Sequence, residues 1–228
     1  MANIIELKNI NKIYGEKITT QVLHNINISF EESSFNSIIG ESGSGKSTML
    51  NIIGTLDKPT TGEVYIEGKR TDTMDKLELS KLRNQTMGFI FQFHYLLPEF
   101  TAKENVLMPY KINNYKVPKE VDEWADDLLN FVGLSKVKNN MATNMSGGQQ
   151  QRTAIARALI NKPRIILADE PTGNLDSEST ENVYTILRDI NKKFNTTFII
   201  ITHDQRIAEK TDRIIQIQDG RINLDLKK

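Results

Sequence analysis

The sequence predicts an α/β fold with a mixed sheet, on three observations. An apolar run at residues 35–39 leads into the glycine-rich turn Gly40-Glu41-Ser42-Gly43-Ser44-Gly45-Lys46-Ser47-Thr48, and a helical pattern through Met49, Leu50, Ile52 and Ile53 follows at once. Strand-like runs return at 164–168, 197–202 and 213–218, the first two separated by a helical stretch at 177–193. Between these halves, residues 101–160 change to helical spacing.

The elements follow in order. Residues 4–14 and 22–30, the latter with Leu23, Ile26 and Ile28, read as strands joined by a turn at Gly15-Glu16-Lys17, which gives an antiparallel β portion at the start. After the loop helix, the breakers of residues 57–62 precede a short strand at 63–68, and 87–92 reads as a buried strand that ends on a polar residue. Val121, Trp124, Ala125, Leu128, Leu129 and Val132 recur every three to four residues and predict an amphipathic helix over 119–132. The expected organisation is one domain, with a core at about 1–92 and 158–228 and an inserted helical subdomain at about 93–157. No internal repeat interrupts it.

Length and charge narrow the functions. A chain of 228 residues suits one α/β domain with an insertion. Lysine plus arginine equals aspartate plus glutamate at 29 each, so no basic excess recommends nucleic acid as a partner. There is no cysteine, which removes disulfides, thiolate metal sites and thiol nucleophiles. The first residues lack a basic start and a long apolar core, and no apolar run approaches the ~18 residues of a membrane span. The expectation is a soluble, cytoplasmic protein whose membrane association comes through a partner.

The glycine-rich turn carries chemistry. Its glycines allow backbone to approach phosphate oxygens, and the helix that follows aims unpaired N–H groups and its positive end at the same oxygens. Lys46 would place an ammonium near the β and γ phosphates, and Ser47 can ligate Mg²⁺. The segment is read as a P-loop for a nucleoside triphosphate. GTPases, small-molecule kinases, helicases and transport ATPases all use this cradle, so other residues must choose among them.

Five further motifs occur in a fixed order. Ser146-Gly147-Gly148-Gln149 opens an amphipathic stretch with Ile155, Ala158 and Leu159, which makes a second helix N-terminus suited to an anion. The strand at 164–168 delivers Asp169 and Glu170 at its C-terminal end, where open α/β sheets bind ligands, and Pro171-Thr172-Gly173-Asn174-Leu175-Asp176 follows. Gln92 ends the strand Gly88-Phe89-Ile90-Phe91, His203 follows Ile199-Ile200-Ile201-Thr202, and Tyr14 ends the first strand. From Tyr14 to Asp219 the set resembles the nucleotide-binding subunit of an ATP-binding cassette (ABC) transporter, with Met145 in place of the usual leucine of the signature.

The resemblance implies a P-loop NTPase ABC ATPase fold with antiparallel β and helical signature subdomains, and ATP and Mg²⁺ as cofactors. It assigns Glu170 as the base that polarises water, His203 as the γ-phosphate switch and Gln92 as a residue reaching both Mg²⁺ and the attacking water. Asp169 and Ser47 join Gln92 around the metal, and Tyr14 stacks on adenine. Residues 40–48 hold the phosphates of one subunit's ATP, while Ser146, Gly147, Gly148 and Gln149 close the site from the other subunit of a head-to-tail homodimer. Within the family, residues 88–106, 53–62 and 149–152 look like the lipoprotein-release and macrolide-export branch. Its members work with a separate integral membrane subunit, expected to dock near the segment that begins at Phe93 and ends at Phe100. Tyr95, Leu96, Leu97 and Phe100 are expected to be partly exposed there, because Pro98 and Glu99 interrupt any element that could bury them together. His24 and His94 match no role and are read as structural or partner-facing. A regulatory ABC ATPase that moves no cargo uses the same engine and stands as the alternative to export or mechanical work.

Overall fold

The computed structural model describes residues 2–228. Strands β1 (Asn3–Tyr14) and β2 (Thr20–Glu31) form a long antiparallel hairpin with Tyr14 opposite Thr20. Its register shifts near Asn9 and Asn25, whose φ values are positive, and short polar side chains tolerate that conformation best. β3 (Phe35–Ile39) feeds the glycine-rich turn, and α1 (Lys46–Ile53) follows. β4 (Thr61–Ile66) and β5 (Lys69–Arg70) complete a four-stranded antiparallel sheet in the order β2-β1-β4-β5.

A reciprocal cap between Asp75 and Glu78 starts α2 (Lys76–Thr86), which delivers β6 (Met87–Phe91). Three helices form the insertion: α3 (Ala102–Lys111), α4 (Lys119–Phe131) and α5 (Gly147–Leu159). β7 (Ile165–Asp169), α6 (Ser177–Phe194), β8 (Thr197–Ile201), α7 (Gln205–Ala208), β9 (Arg213–Gln218) and β10 (Arg221–Lys227) finish the chain. The second sheet has the order β10-β9-β3-β8-β7-β6, parallel throughout except for the β10 edge.

Both faces of the parallel sheet are covered, which is why its strands read as unbroken apolar runs. On β7, Ile166 and Ala168 join Phe198 and Ile200 against the helical layer of α3 to α6. Ile165 and Leu167 point the other way and join Ile199, Ile201, Met49 and the hairpin residues Ile5 and Phe30. Each fully buried isoleucine contributes about 1.5–3 kcal/mol through removal from water. Two cores on one sheet therefore hold the antiparallel sheet and the helical layer to opposite faces.

Several elements differ from the sequence reading. Helix does not run through 101–160: residues 112–118 are irregular, and between α4 and α5 there are only two short 3₁₀ turns. Helices α2 and α7 and strands β5 and β10 have no counterpart in that reading. The Asp219-Gly220 turn, with both φ values positive, is the tight hairpin that returns β10 along β9, and Asp-Gly after an apolar strand is its sequence signal.

Candidate functional site

Register places the predicted residues on one rim. Phe91 stands opposite Asp169, Asp169 opposite Ile201, and Ile201 opposite Ile38, so four parallel strands end level with one another. The next residues along, Gln92, Glu170, Thr202 and Ile39, therefore share the C-terminal edge of the sheet, with Gly40 and His203 one residue beyond. This is the crevice in which open α/β sheets hold ligands.

The glycine-rich loop is shaped by close approach. A Cβ at Gly40 would lie 2.2 Å from the Ile217 carbonyl oxygen, and one at Gly45 would lie 2.8 Å from the Leu23 side chain. Gly45 also starts α1 with φ at 104°, and no side chain caps the helix. By contrast α2, α3 and α5 begin on capping boxes at Asp75, Thr101 and Ser146. The first-turn N–H groups of α1 are thus left for an external anion. Glu41, Ser42, Gly43 and Ser47 are exposed on the loop, and Thr48 is half-buried.

Two polar groups in the loop are underused. The Ser44 hydroxyl is buried without a hydrogen-bond partner. The Lys46 ammonium, almost buried, donates to the carbonyls of Gly40 at 3.0 Å and Glu41 at 2.7 Å, closing over the space its own loop surrounds. A phosphate in that space would give both groups the partner their chemistry calls for.

Ser47 Oγ donates to Asp169 Oδ1 at 3.5 Å across the rim. Burial pushes the Asp169 carboxyl above the ordinary carboxylate range and the Glu170 charge adds to this, while Ser47 and Lys46 act in the opposite direction. A hydroxyl and a desolvated carboxylate on facing segments are hard oxygen donors of the type that holds Mg²⁺, so the residues fit that ion.

Glu170 is the first residue past β7 and takes a left-handed φ of 47°. Its N–H donates to the Ile201 carbonyl at 3.0 Å, and its carboxylate Oε2 lies 3.2 Å from His203 Nδ1. A glutamate in that conformation costs about 1–2 kcal/mol relative to the right-handed region. The strain turns its carboxylate away from the strand direction toward His203. Glu170, Thr172, Gly173, Thr202, His203 and Arg206 line a cleft of about 150 Å³. Closed small-molecule pockets measure roughly 300–1,000 Å³, so the cleft alone does not enclose a nucleotide.

Gln92 is brought to the same rim and tied to the loop after Glu170. Its Nε2 donates to Asn174 Oδ1 at 3.2 Å, and Asn174 Nδ2 returns a bond to the Gln92 carbonyl at 3.3 Å. Tyr14, 42% exposed, lies at the end of β1 and donates its hydroxyl to Asp57 Oδ2 at 2.6 Å.

The second anion-type terminus stands apart. Ser146 and Gln149 bond to one another across the first turn of α5, and neither reaches the phosphate loop among the described residues. Ser146 and Gly147 are exposed, and a Cβ at Gly147 would meet nothing within 4 Å. Gly148 faces the start of α6, where Ser179 Oγ would lie 3.5 Å from an added Cβ.

Sequence reasoning gave no role to Gln151. Its side chain is wholly buried, donates from Nε2 to the Pro171 carbonyl at 2.6 Å and to the Phe91 carbonyl at 3.5 Å, and accepts through Oε1 from His94 Nδ1 in a short contact. Arg157 on the same helix donates to the carbonyls of His94 at 2.7 Å and Tyr95 at 2.6 Å. The signal was present: Gln151 falls four residues before Ile155 and three before Ala154, on the apolar face of the helix. A polar group there needs a buried partner.

The comparisons agree with this geometry. The family model described as ABC transporter matches residues 23–173. The lipoprotein-releasing system ATP-binding protein LolD 1 of Rhodopseudomonas palustris is 48% identical over 224 residues, covering 97% of this chain and 99% of that protein. The dimeric structure of the ATP-binding cassette MJ0796, in a post-hydrolysis state bound to ADP and phosphate, superposes with a TM-score of 0.90 at 43% identity and covers 98% of each chain. The structure of cbiO1 from Clostridium perfringens, part of the ABC transporter complex cbiONQ, gives a TM-score of 0.89 at 27% identity, over 100% of this chain and 89% of that one. In sequence, fold and the arrangement of its phosphate loop, this chain belongs to the ABC transporter family, as an ATP-binding subunit.

Proposed function

We propose that the chain hydrolyses ATP to ADP and phosphate in a head-to-tail homodimer, and that the cycle drives a separate integral membrane subunit. The reading is carried by one observation: Ser47, Asp169, Glu170, His203 and Gln92 converge from four segments on the rim that the phosphate loop opens. Residues 40–48 bind the triphosphate, with Lys46 leaving the Gly40 and Glu41 carbonyls for phosphate oxygens. Ser47, Asp169 and Gln92 would hold Mg²⁺, which when bound neutralises phosphate charge. Glu170 accepts the proton of the attacking water, His203 contacts the γ phosphate, and Tyr14 stacks on adenine. Catalysis is then positioning and electrostatic stabilisation, with no covalent enzyme intermediate.

The small cleft, the exposed Ser146 and Gly147 and the half-buried Gly148 and Gln149 beside them support a site completed by a second copy of the chain. The likeness to a dimeric cassette bound to ADP and phosphate favours the same arrangement. In this reading residues 93–157 move as a helical unit against a core at 1–92 and 158–228.

The membrane subunit docks near residues 93–100. Phe93 and Tyr95 are 63% and 67% exposed. Beside them Phe89, Phe91, Arg83, Ile112 and Arg157 line a groove of about 380 Å³. An amphipathic helix suits such a groove. Among the described residues no helix is long and apolar enough to cross a membrane. A place on the cytoplasmic side of the membrane, held by the partner, follows from that assembly. The 48% identity to a lipoprotein-releasing ATPase supports mechanical work on a membrane-bound lipoprotein as the output. Phosphate release by the full chain, measured with Mg²⁺ and again in excess EDTA, tests the reaction: turnover saturates with ATP and stops without the metal. Turnover that persists in EDTA rejects it.

A further inference from the structure

The base end of the site has its own scaffold. Lys12 and Tyr14 sit two residues apart on β1, on the same side of the strand. The Lys12 ammonium, 9% exposed as a residue, donates to Asp57 Oδ1 at 2.6 Å and to the Lys58 carbonyl at 2.7 Å. It also lies 4.6 Å from the centroid of the Tyr14 ring. The Tyr14 hydroxyl donates to the other oxygen of the same carboxylate, Asp57 Oδ2, at 2.6 Å. Burial raises the Asp57 carboxyl, but bonds from Lys12, Tyr14 and the Lys58 N–H outweigh it and hold the group below its ordinary value.

Asp57 belongs to the turn that ends the phosphate-loop helix. The N–H groups of Leu56 and Asp57 both donate to the Asn51 carbonyl, at 2.8 and 3.2 Å. The two ends of α1 therefore meet two parts of the site: its N-terminus opens on the phosphate loop, and the turn at its C-terminus holds the Tyr14 ring by the hydroxyl. With the ammonium against one face of the ring, a planar ligand can stack only on the other.

We propose that Lys12 and Asp57 are positioning residues that hold Tyr14 as a one-faced platform for the purine of the nucleotide, at a spacing from the phosphate loop set by α1. The proposal rests on the reading of Tyr14 as the base-stacking residue. Neither Lys12 nor Asp57 has a group left to read the edge of a base, because both are spent on each other and on Tyr14. The platform therefore accepts adenine and guanine with similar affinity, and discrimination between them is weak.

The test is calorimetric titration of the full chain, without Mg²⁺ so that no hydrolysis occurs, with ATP, with GTP and with inorganic triphosphate, which has no base. Tyr14→Phe keeps the ring and loses the tether; Asp57→Asn and Lys12→Met remove the two supports; Tyr14→Ala removes the platform. The first three variants are expected to weaken ATP and GTP by about 3- to 10-fold, the range for one lost hydrogen bond, and to leave triphosphate within twofold. Tyr14→Ala weakens both nucleotides at least as much. Full ATP affinity in Tyr14→Ala would reject the base-stacking reading itself. Loss in Tyr14→Ala with wild-type affinity in Tyr14→Phe would reject the positioning role alone. Equal loss for ATP and triphosphate would also reject it, by placing the effect in the phosphate loop. Tyr14 is exposed and its phenylalanine variant buries no charge, so that arm reads out even if Asp57→Asn or Lys12→Met fails to fold.

Discussion

The buried carboxamide of Gln151 donates to the Pro171 carbonyl at 2.6 Å, one residue beyond Glu170, while its oxygen contacts the His94 ring two residues beyond Gln92. One side chain of the signature helix thus touches the segment expected to face the membrane subunit and the loop that follows the expected base. Gln151→Leu leaves the Pro171 carbonyl unpaired in the interior, at a cost of about 1–3 kcal/mol. A thermal melt is expected to fall by roughly 2–12 °C for a chain of this size. An unchanged midpoint would mean the bond contributes nothing to stability.

Asp169 predicts a stability change of unusual sign. Its folded pKa is raised, so its ionisation opposes folding: the contribution is most favourable below the unfolded carboxylate pKa of about 3.9 and is lost as pH rises through the folded value. Asp169→Asn removes that charge and is expected to raise the melting temperature of the nucleotide-free chain at neutral pH. The gain disappears toward pH 4, and the same variant loses the Mg²⁺ dependence of nucleotide binding. Melts between pH 4 and 8 check it.

Leu97 is 39% exposed, and its backbone, not its side chain, is fixed by Asn105, through a bond to its N–H at 2.7 Å and one to its carbonyl at 3.1 Å. Leu97→Glu should shift the melt by less than about 0.5 kcal/mol, as for ordinary surface changes. Co-purification with the membrane subunit is expected to be lost. A large fall in stability with binding retained would place the side chain in the core instead.

Shared sites predict complementation. Lys46→Ala removes the cation of the phosphate loop, and Ser146→Arg obstructs the exposed start of α5. Each homodimer is inactive, whereas a mixed dimer holds one intact loop facing one intact signature and regains up to one working site per dimer. Phosphate release from mixtures that never exceeds the summed homodimers, with the mixed dimer shown to form, would contradict a site built from two chains.

Local patterns made much of the parallel sheet legible. Phe35 to Ile39, Ile165 to Asp169 and Thr197 to Ile201 are buried on both faces, so their composition alone marks them, and the loop glycines mark the turn between β3 and α1. The helical insertion was legible as a region and not as helices: Asn113-Asn114 and Pro118 mark the break at 112–118, but the apolar spacing on either side masks it, and the break after Val132 carries one glycine. β10 alternates Ile222, Leu224 and Leu226 but is largely exposed, so its run lacks the apolar density that marks the others. The Tyr14–Asp57 and Gln151–Pro171 bonds join positions with no local periodicity between them. Only the folded chain brings those partners together.

In the proposed cycle Glu170 serves as the base in an ATP-closed dimer. Glu170→Gln keeps the shape and loses the proton acceptor, so it is expected to bind ATP and Mg²⁺ while phosphate release falls by about 10²–10⁴, the range for a lost general base. The most direct measurement is light scattering of that variant during gel filtration with Mg²⁺ and ATP, beside its phosphate-release rate. A dimer with ATP, a monomer without it and slow release are expected if Glu170 is the base. A monomer in both conditions with release at the wild-type rate would contradict it.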